Sequence, residues 1–509
     1  MGDSPYGGFG DFCPEGHPTF RLRVRLPLPR RSGDPCRRED CAKLPNGVAP
    51  NYRTELRQTA EWNCAKLPNG FASEWAIWYN WCQMTEEYSK RIADEILKER
   101  LEGAGAVLVE GVKWCGKTTT CEQIAKSVLY MGDPDSKKRN LQLAEINVAQ
   151  LLKGDEPRLI DEWQEYPRFW DAVRFRVDHS KGFGHFILTG SSVPPDTADI
   201  SHTGTGRISR MAMRPMTLWE SGDSSGNVSL LELIDGGELP EGECKGLDLE
   251  RVAFLVCRGG WPQTIQQRDK IALMRAFDYY RDVVESDISR VDKVPREPER
   301  VMRLMRSYAR LQGTQANLTA IRLDMKEHDS RGLDEDTIYS YINALKKIFV
   351  VENMPAWCPN LMSKAVVRTS DTRYFTDPSI ASAALGLGPG DLMNDLRSFG
   401  RLFEVLAMRD LRTYADASFG SVSHYLDKNG LECDAIVHLR NGKYGLIEIK
   451  LGGDSLVNEG AETLNALSRI VDTTRMRAPS FKMVLTAVGD IVYRRADGVV
   501  VCPISALRP

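Results

Sequence analysis

The sequence lacks two features that would place the protein at a membrane or on a polyanion. No uninterrupted apolar run approaches the roughly 20 residues of a membrane span, and the first residues, MGDSPYGGFGDF, lack the basic and then apolar pattern of a signal peptide. The 67 Lys and Arg residues are balanced by 70 Asp and Glu residues, so the net charge is −3. We therefore expect a cytoplasmic protein without membrane contact, whose nucleic-acid contacts are confined to local patches.

Paired cysteines are also missing. The twelve cysteines include no CxxC pair, which supports neither a disulfide framework nor a strong zinc site. We expect most of them to be reduced and buried. Five crowd the first 82 residues at spacings that match no metal pattern: Cys13, Cys36, Cys41, Cys64 and Cys82.

The first 83 residues differ from the rest of the chain. They are rich in Gly, Pro, Arg and Trp, show no sustained helix or strand period, and contain CAKLPNG twice. The segment RLRVRLPLPRR is basic and interrupted by proline. Three interpretations stay open: a flexible arm, a weak nucleic-acid-binding tail, or an extension upstream of a native start at Met84, where a helix-then-strand pattern begins.

A phosphate-binding loop is the strongest signal. From Ala104 the chain reads AGAVLVEGVKWCGKTTTCEQIAKSVLY, an apolar strand, GxxxxGKT and then a helix with apolar positions that include Val128 and Leu129. Glycines let backbone N–H groups curl round a phosphate, the lysine neutralises β- and γ-oxygens, and the threonine hydroxyl can bind Mg²⁺. The predicted nucleotide-binding residues of the loop are Gly111, Cys115, Gly116, Lys117, Thr118 and Thr119.

A second motif supplies the remaining groups for hydrolysis. In PRLIDEWQ, Asp161 ends a short apolar strand and can hold Mg²⁺ through water, and Glu162 can orient the attacking water. The alternative is a solvated acidic pair at a strand end. The strand in HFILTGSS places Thr189 or Ser191 where it could sense the γ-phosphate.

Three arginines follow in GTGRISRMAMRP, namely Arg207, Arg210 and Arg214. Any of them could stabilise transition-state charge, although a surface role is the simpler interpretation of each. Strands alternate with helices between about 104 and 215, which predicts an α/β domain with a parallel, helix-covered sheet.

Five strings together resemble one family. GVKWCGKTTT, PRLIDEWQ, FILTGSS, HTGTGRISRMAMRPMTLWESG and CRGGWP are similar to those of bacterial and archaeal AAA-type P-loop ATPases that carry a C-terminal domain of unknown function. The resemblance runs from about Met84 to the end of the chain. It implies ATP binding by Gly111, Gly116, Lys117 and Thr118, with Asp161 and Glu162 as the second motif.

The middle of the chain is predicted to be a helical, winged-helix-like module. Several short helical patterns between 270 and 375 give way to VVRTSDTRYFTD, which alternates like a β-wing. Ser340, Asn343, Lys346 and Lys347 would mark the exposed side of the third helix. The alternative is a helical lid that packs on the ATPase domain.

A second candidate site lies in the C-terminal αβββαβ pattern. Glu404 is on the first helix, Asp434 in the second strand, and Glu448 and Lys450 in the third. This placement resembles the PD-(D/E)xK nuclease fold, in which carboxylates gather Mg²⁺ and the lysine positions or deprotonates water. Asp434 and Glu448 are the predicted metal ligands here, as Thr118 and Asp161 are at the P-loop. The alternative is a buried ion pair of Lys450 with Glu448 or Asp434.

The hairpin between these strands decides whether the acids converge. A two-residue turn at Asn441 and Gly442 would send Asp434 to the face opposite Glu448. A three-residue loop, Arg440 to Gly442 with a G1 bulge, pairs Asp434 directly with Glu448. We predict the three-residue loop.

The whole sequence predicts a P-loop ATPase, residues 84–265, a winged-helix-like module, 266–380, and a nuclease-like domain, 381–509, after an atypical N-terminal segment, 1–83. ATP and Mg²⁺ are the expected cofactors, and DNA or RNA and a second copy of the chain the expected partners. The predicted catalytic residues are Lys117, Glu162, Glu404, Asp434, Glu448 and Lys450. The alternative function is an ATP-regulated binding or signalling switch with an inactive C-terminal domain.

Overall fold

The protein is described by a computed structural model over residues 88–193, 203–329, 332–357, 370–471 and 473–509. The predictions for residues 1–83, including those for the five N-terminal cysteines, lie outside these ranges. Six cysteines within them are free, and all but the half-buried Cys244 are buried, as expected. No helix in the described ranges is long and apolar enough to cross a membrane.

The first part of the described chain is the predicted parallel sheet. Its strands are ordered β2-β3-β4-β1-β5, and each neighbouring pair is parallel. Because the carboxyl ends of parallel strands meet at one edge, the residues after β1, β3 and β4 lie together there. The elements are α1 (Ile92–Gly103), β1 (Ala106–Glu110), α2 (Lys117–Glu122), β2 (Ser127–Tyr130), α3 (Lys137–Leu151), β3 (Arg158–Asp161), α4 (Phe169–Asp178), β4 (Phe186–Gly190) and β5 (Ile208–Ala212).

The helix after the P-loop is shorter than the sequence pattern predicted. It ends at Glu122, and Val128 and Leu129 lie in β2, where they pair with Leu159 and Ile160 of β3. The assignment of Val128 and Leu129 to this helix is therefore wrong. Pairing with a buried strand outweighs the local helical periodicity at these positions.

A predominantly helical module follows. A π-helical turn, Val283–Asp287, joins two of its helices. β8 and β9 pair as an antiparallel ribbon. The elements are β6 (Val228–Ser229), α5 (Leu230–Asp235), β7 (Gly242–Glu243), α6 (Leu249–Arg258), α7 (Pro262–Ile265), α8 (Asp269–Asp282), α9 (Ile288–Arg290), α10 (Pro298–Arg310), α11 (Leu318–Asp329), α12 (Glu335–Lys347), β8 (Val351–Met354) and β9 (Thr372–Phe375).

The order α10, α11, α12 and β-ribbon is the order expected of a winged helix, and the assignment to that fold stays a prediction. Of the four residues predicted to be exposed on its third helix, only Ser340 is exposed. Asn343, Lys346 and Lys347 are partly buried because the end of α12 packs against β8.

The C-terminal part contains the expected αβββαβ order and two further strands in the same sheet. The strands are ordered β10-β11-β12-β13-β15-β14-β7. Helix α15 contacts β10 to β12, and α16 contacts β11 to β13. The elements are α13 (Pro378–Leu385), α14 (Pro389–Asn394), α15 (Leu396–Asp416), β10 (Ser421–Leu426), β11 (Glu432–His438), β12 (Tyr444–Lys450), α16 (Asp454–Ile470), β13 (Phe481–Thr486), β14 (Ile491–Arg494), β15 (Val500–Pro503) and β16 (Leu507–Arg508).

The hairpin between β11 and β12 has the predicted three-residue loop. Leu439 N–H donates to Lys443 O at 2.9 Å, Gly442 N–H donates to Leu439 O at 3.0 Å, and Gly442 has a φ of +81°. The strands pair from His438 opposite Tyr444 to Ala435 opposite Ile447. One further step of this register puts Asp434 opposite Glu448, so the predicted parity is confirmed.

The three parts are joined by shared strands and by buried charges. β6 pairs with β16, and β7 pairs with β14 at the edge of the C-terminal sheet. Asp377, fully buried, accepts hydrogen bonds from Gly260 N–H at 3.0 Å and from Arg409 at 2.9 Å. Gly260 belongs to the CRGGWP string, and a Cβ there would lie 2.1 Å from Met216 O. Glycine at position 260 of this string therefore allows the backbone to pack closely against Met216.

Candidate functional site

The P-loop connects β1 to α2 at the carboxyl edge of the parallel sheet. Gly116 has a φ of +97°, a left-handed conformation that glycine adopts without strain. Gly111 is required for a different reason, since a Cβ there would lie 2.1 Å from Met213 O. Both motif glycines therefore fit the close turn that the sequence predicted.

Lys117 lies inside this loop. Its side chain is buried, and Nζ donates to Gly111 O at 2.8 Å and to Val112 O at 2.9 Å. The ammonium group is thus held at the concave side of the loop, where it can neutralise phosphate oxygens.

Thr118 and Asp161 meet in front of the loop. Thr118 Oγ1 donates to Asp161 Oδ1 at 2.7 Å, and Thr189 Oγ1 donates to the same oxygen at 2.7 Å. Hydroxyl and carboxylate oxygens are the ligands that Mg²⁺ prefers, so this pair of side chains fits the ion that the fold implies. Thr118 follows β1, Asp161 ends β3 and Thr189 is in β4, so the carboxyl ends of three strands bring these side chains together.

Glu162 lies beside them with a strained backbone. Its φ of +56° is unusual for a residue with a side chain, and its N–H donates to Thr189 Oγ1 at 3.1 Å. Its carboxylate accepts hydrogen bonds from Ser191 Oγ at 2.9 Å and from the Gln164 amide. Ser191 and Gln164 therefore orient the carboxylate that would position water, and Thr189 contacts both acidic residues of the second motif.

The remaining predicted loop residues differ in exposure. Thr119 is exposed, whereas Cys115 is buried with its thiol directed to Met213 O at 3.4 Å. Only the backbone of Cys115 is therefore available to a nucleotide. Its carbonyl accepts a hydrogen bond from Arg91 at 2.8 Å.

Arg91 is a residue that the sequence analysis missed. Its buried guanidinium also donates to Arg214 O at 2.9 Å and pairs with Glu220 at 2.9 Å. It thus fixes the P-loop to the segment after β5. No local motif marks this residue, because its partners are distant in the sequence.

The three arginine candidates have separate partners. Arg207 pairs with Asp178, and Arg210 pairs with Glu110, each with an exposed guanidinium. Arg214 is buried and pairs with Glu352 and, at 2.6 Å, with Asp416. A surface role for Arg214 is therefore wrong: it connects the end of β5 to the β-ribbon and to α15.

The C-terminal candidates lie at one end of the sheet, each with its own partner. Lys450 Nζ lies 2.8 Å from Glu448 Oε2, which is the ion pair considered as the alternative. Asp434 Oδ2 accepts the N–H of Ile449 at 2.7 Å. Glu404 accepts a hydrogen bond from Tyr374 of β9 at 2.5 Å. Tyr374, which the sequence did not single out, links the helical module to this cluster.

Burial and mutual repulsion raise the pKa of the carboxyls in this cluster. Burial is the larger cause for Glu404 and Glu448, and the negative charge of Asp434 adds to it in both. Burial also raises the pKa of Asp434, against the attraction of Lys450. Within the described ranges, no group of three or more His, Cys, Asp and Glu side chains is arranged to hold a metal ion. The geometry fits the predicted metal site less well than the P-loop fits Mg²⁺.

Comparisons with known proteins bear on each part. Residues 104–221 match a family described as "AAA domain", and residues 249–391 and 399–507 match two domains of unknown function, DUF8612 and DUF4143. No curated protein matches the chain.

Two solved structures share limited similarity with the chain. A Walker-type ATPase of Pyrococcus abyssi is 14% identical over 59% of this chain and 97% of its own, with a TM-score of 0.35. A signal transduction ATPase with a tetratricopeptide repeat sensor from Pyrococcus horikoshii is 11% identical over 65% of this chain and 50% of its own, with a TM-score of 0.17.

The family match covers the strands and loops that carry Lys117, Thr118, Asp161 and Thr189. Together with the hydrogen bonds that Asp161 accepts from Thr118 and Thr189, it supports an AAA-type P-loop ATPase domain in this part of the chain.

Proposed function

We propose that this protein is a Mg²⁺-dependent ATPase whose nucleotide state controls its C-terminal domain. The contact between Thr118 and Asp161 carries the first part, because it joins the two expected Mg²⁺ residues beside the buried Lys117. Thr118 and Asp161 would hold Mg²⁺, which would supply positive charge to neutralise the phosphates. Lys117 would hold the β- and γ-phosphates, and Glu162 would orient the attacking water.

Arg214 supports control of the C-terminal domain. It follows β5, and its backbone carbonyl accepts a hydrogen bond from Arg91, which also holds Cys115 of the P-loop. Its side chain pairs with Glu352 of the β-ribbon and with Asp416 of α15. A shift of the P-loop on nucleotide binding would thus reach both neighbouring parts through the ion pairs of the buried Arg214.

For the C-terminal domain we propose a nuclease-like metal site made of Glu404, Asp434, Glu448 and Lys450. The hairpin register supports it, because it puts Asp434 opposite Glu448. The separate partners of the acids favour the alternative, a binding switch whose acids are structural. In the nuclease-like case, the carboxylates of Glu404, Asp434 and Glu448 would hold a metal ion that activates water, Lys450 would position that water, and DNA or RNA would be the substrate.

One experiment separates these functions. The full chain and its Lys117→Ala and Lys450→Ala variants are incubated with single- and double-stranded DNA and RNA and Mn²⁺, with and without ATP. Lys443→Ala is the matched control, since this lysine directly precedes the strand of Lys450 and pairs with Asp235 outside the cluster. Cleavage that is lost in Lys450→Ala and retained in Lys443→Ala establishes the nuclease. Loss of the ATP-dependent part of this cleavage in Lys117→Ala establishes the nucleotide gate.

Absence of cleavage with intact ATP turnover would instead establish the binding switch. Gel shifts at low salt then distinguish a switch that binds nucleic acid from one that does not, because phosphate contacts strengthen as salt is lowered. ATP turnover by Lys117→Ala at the wild-type rate would contradict the ATPase assignment itself.

A further inference from the structure

Two residues at variable positions of the P-loop motif contact the helical module. Lys113 Nζ lies 2.5 Å from Asp287 Oδ1, in the π-helical turn that joins α8 to α9. The Trp114 ring lies 4.8 Å from the Arg275 guanidinium and 6.0 Å from the Tyr279 ring, both on α8. The loop that must close round phosphates is therefore in direct contact with a neighbouring helix.

The two members of the ion pair differ in exposure. The Asp287 side chain is 10% exposed, whereas the Lys113 side chain is 45% exposed. A largely buried carboxylate is stabilised by its cation, and a partly exposed lysine retains the freedom to turn to another anion. Asp287 is thus the less mobile member of the ion pair, and the Lys113 side chain is free to leave it.

The backbone of Lys113 also lies close to the place where phosphates would bind. The two carbonyls that contact the Lys117 ammonium belong to Gly111 and Val112, which immediately precede Lys113 in the loop. Phosphates held by Lys117 bring several negative charges to this place, and they repel the Asp287 carboxylate unless a cation lies between them.

We propose that Lys113 is a second phosphate-binding lysine, and that Asp287 is the residue that positions it before nucleotide binds. When nucleotide binds, Lys113 turns from the Asp287 carboxylate to the phosphate oxygens, and Asp287 is released. The π-helical turn, which carries Asp287, then transmits the binding of nucleotide to the helical module. This inference rests on the proposed binding of ATP, and it adds Lys113 and Asp287 to the residues that the motif supplies.

The test measures the binding of Mg·ATP to the full chain by titration calorimetry. Lys113→Gln is expected to weaken affinity about tenfold, the effect of one lost charge-assisted contact. Asp287→Asn is expected to strengthen affinity about threefold, because it removes a competing anion at nearly constant shape. In the Lys113→Gln background, Asp287→Asn should have no effect, and Lys113→Arg should retain most of the affinity.

Asp278→Asn is the matched control. Asp278 lies on α8 and pairs with Arg281 of the same helix at 3.1 Å, with both side chains exposed to solvent. This variant should bind ATP as the wild type does. Lys117→Ala should abolish binding in every background.

The outcomes distinguish the role of Lys113 from the proposed ATPase function. If Lys113→Gln and Asp287→Asn bind ATP as the wild type does while Lys117→Ala does not bind, this inference is wrong and the ATPase assignment stands. If Asp287→Asn weakens affinity equally with and without Lys113, Asp287 has a structural role only, which also overturns the inference. Binding by Lys117→Ala at wild-type affinity would contradict the proposed function.

Discussion

The guanidinium of Arg409 lies 2.9 Å from the carboxylate of Asp377, and the two side chains are 2% and 0% exposed. Arg409 also lies 2.8 Å from Asp410, which in turn accepts the N–H of Leu218. The ATPase domain, the helical module and α15 therefore meet at one buried cation between two buried carboxylates.

Arg409→Met is expected to reduce the free energy of unfolding by about 3 to 5 kcal/mol, because it leaves both carboxylates buried without their cation. Urea denaturation of the full chain measures this loss. Arg281→Met, which removes an exposed pair with Asp278, should change the free energy by about 1 kcal/mol or less. Equal stability of Arg409→Met and the wild type would show that the network is not coupled.

Glu352 is expected to make the free energy of unfolding depend on pH in the acid range. Burial opposes its ionisation, but the positive charges of Arg214 and Arg412 outweigh burial and lower its pKa to about 2. A carboxyl with a lowered pKa stabilises the folded state above its unfolded pKa of about 4.3, and this contribution is lost as pH falls towards 2.

Glu352→Gln should therefore be less stable than the wild type at pH 7, and the difference should shrink between about pH 4 and pH 2. Denaturation midpoints of both proteins across this range measure the effect. A difference that does not change with pH would mean that Glu352 acts through packing alone.

Gly260→Ala is expected to destabilise the protein by about 2 kcal/mol or more, since the added Cβ would meet Met216 O at 2.1 Å and force the backbone to move. The same substitution at Gly103 meets no atom within 4 Å and serves as the control. Thermal unfolding compares the two variants. If the two variants unfold at the same temperature, the backbone near Gly260 can accommodate the added Cβ without a loss of stability.

Glu162→Gln should retain ATP binding and lose at least about 100-fold in ATP turnover, because an amide cannot accept a proton from the attacking water. Glu165→Gln, an exposed neighbour that pairs with Lys137, is the control. Phosphate release and equilibrium binding of ATP are measured side by side. Turnover by Glu162→Gln at the wild-type rate would assign the water-positioning role to another residue.

The sequence predicted the nucleotide site better than its surroundings. The spacing of Gly111 and Gly116 is set by chemistry within one short segment, so it can be recognised without a structure. Asp161 is recognised separately, as the acid that ends an apolar strand. The parity of Asp434 and Glu448 was also predictable, because the length of the loop after Leu439 determines which residues face each other.

Other features depend on partners that are remote in the chain. Val128 and Leu129 follow a helical period locally, and only β3 makes them a strand. In the sequence, Arg214 cannot be told apart from Arg207 and Arg210. Its different role follows from its ion pairs with Glu352 and Asp416, which are distant in the chain. Arg91 carries no local signal at all, since each partner of its guanidinium lies beyond the next strand.

The shared strands affect the order in which the chain can fold during synthesis. Ser229 Oγ of β6 donates to the carbonyl of Pro509, a residue made 280 positions later. β6 and β7 therefore leave the ribosome long before β16 and β14. Their backbone groups stay without these partners while the rest of the helical module and most of the C-terminal part are translated. The nascent chain thus passes through a long interval with unpaired strand edges, in which a chaperone that shields such edges would increase the yield of native protein.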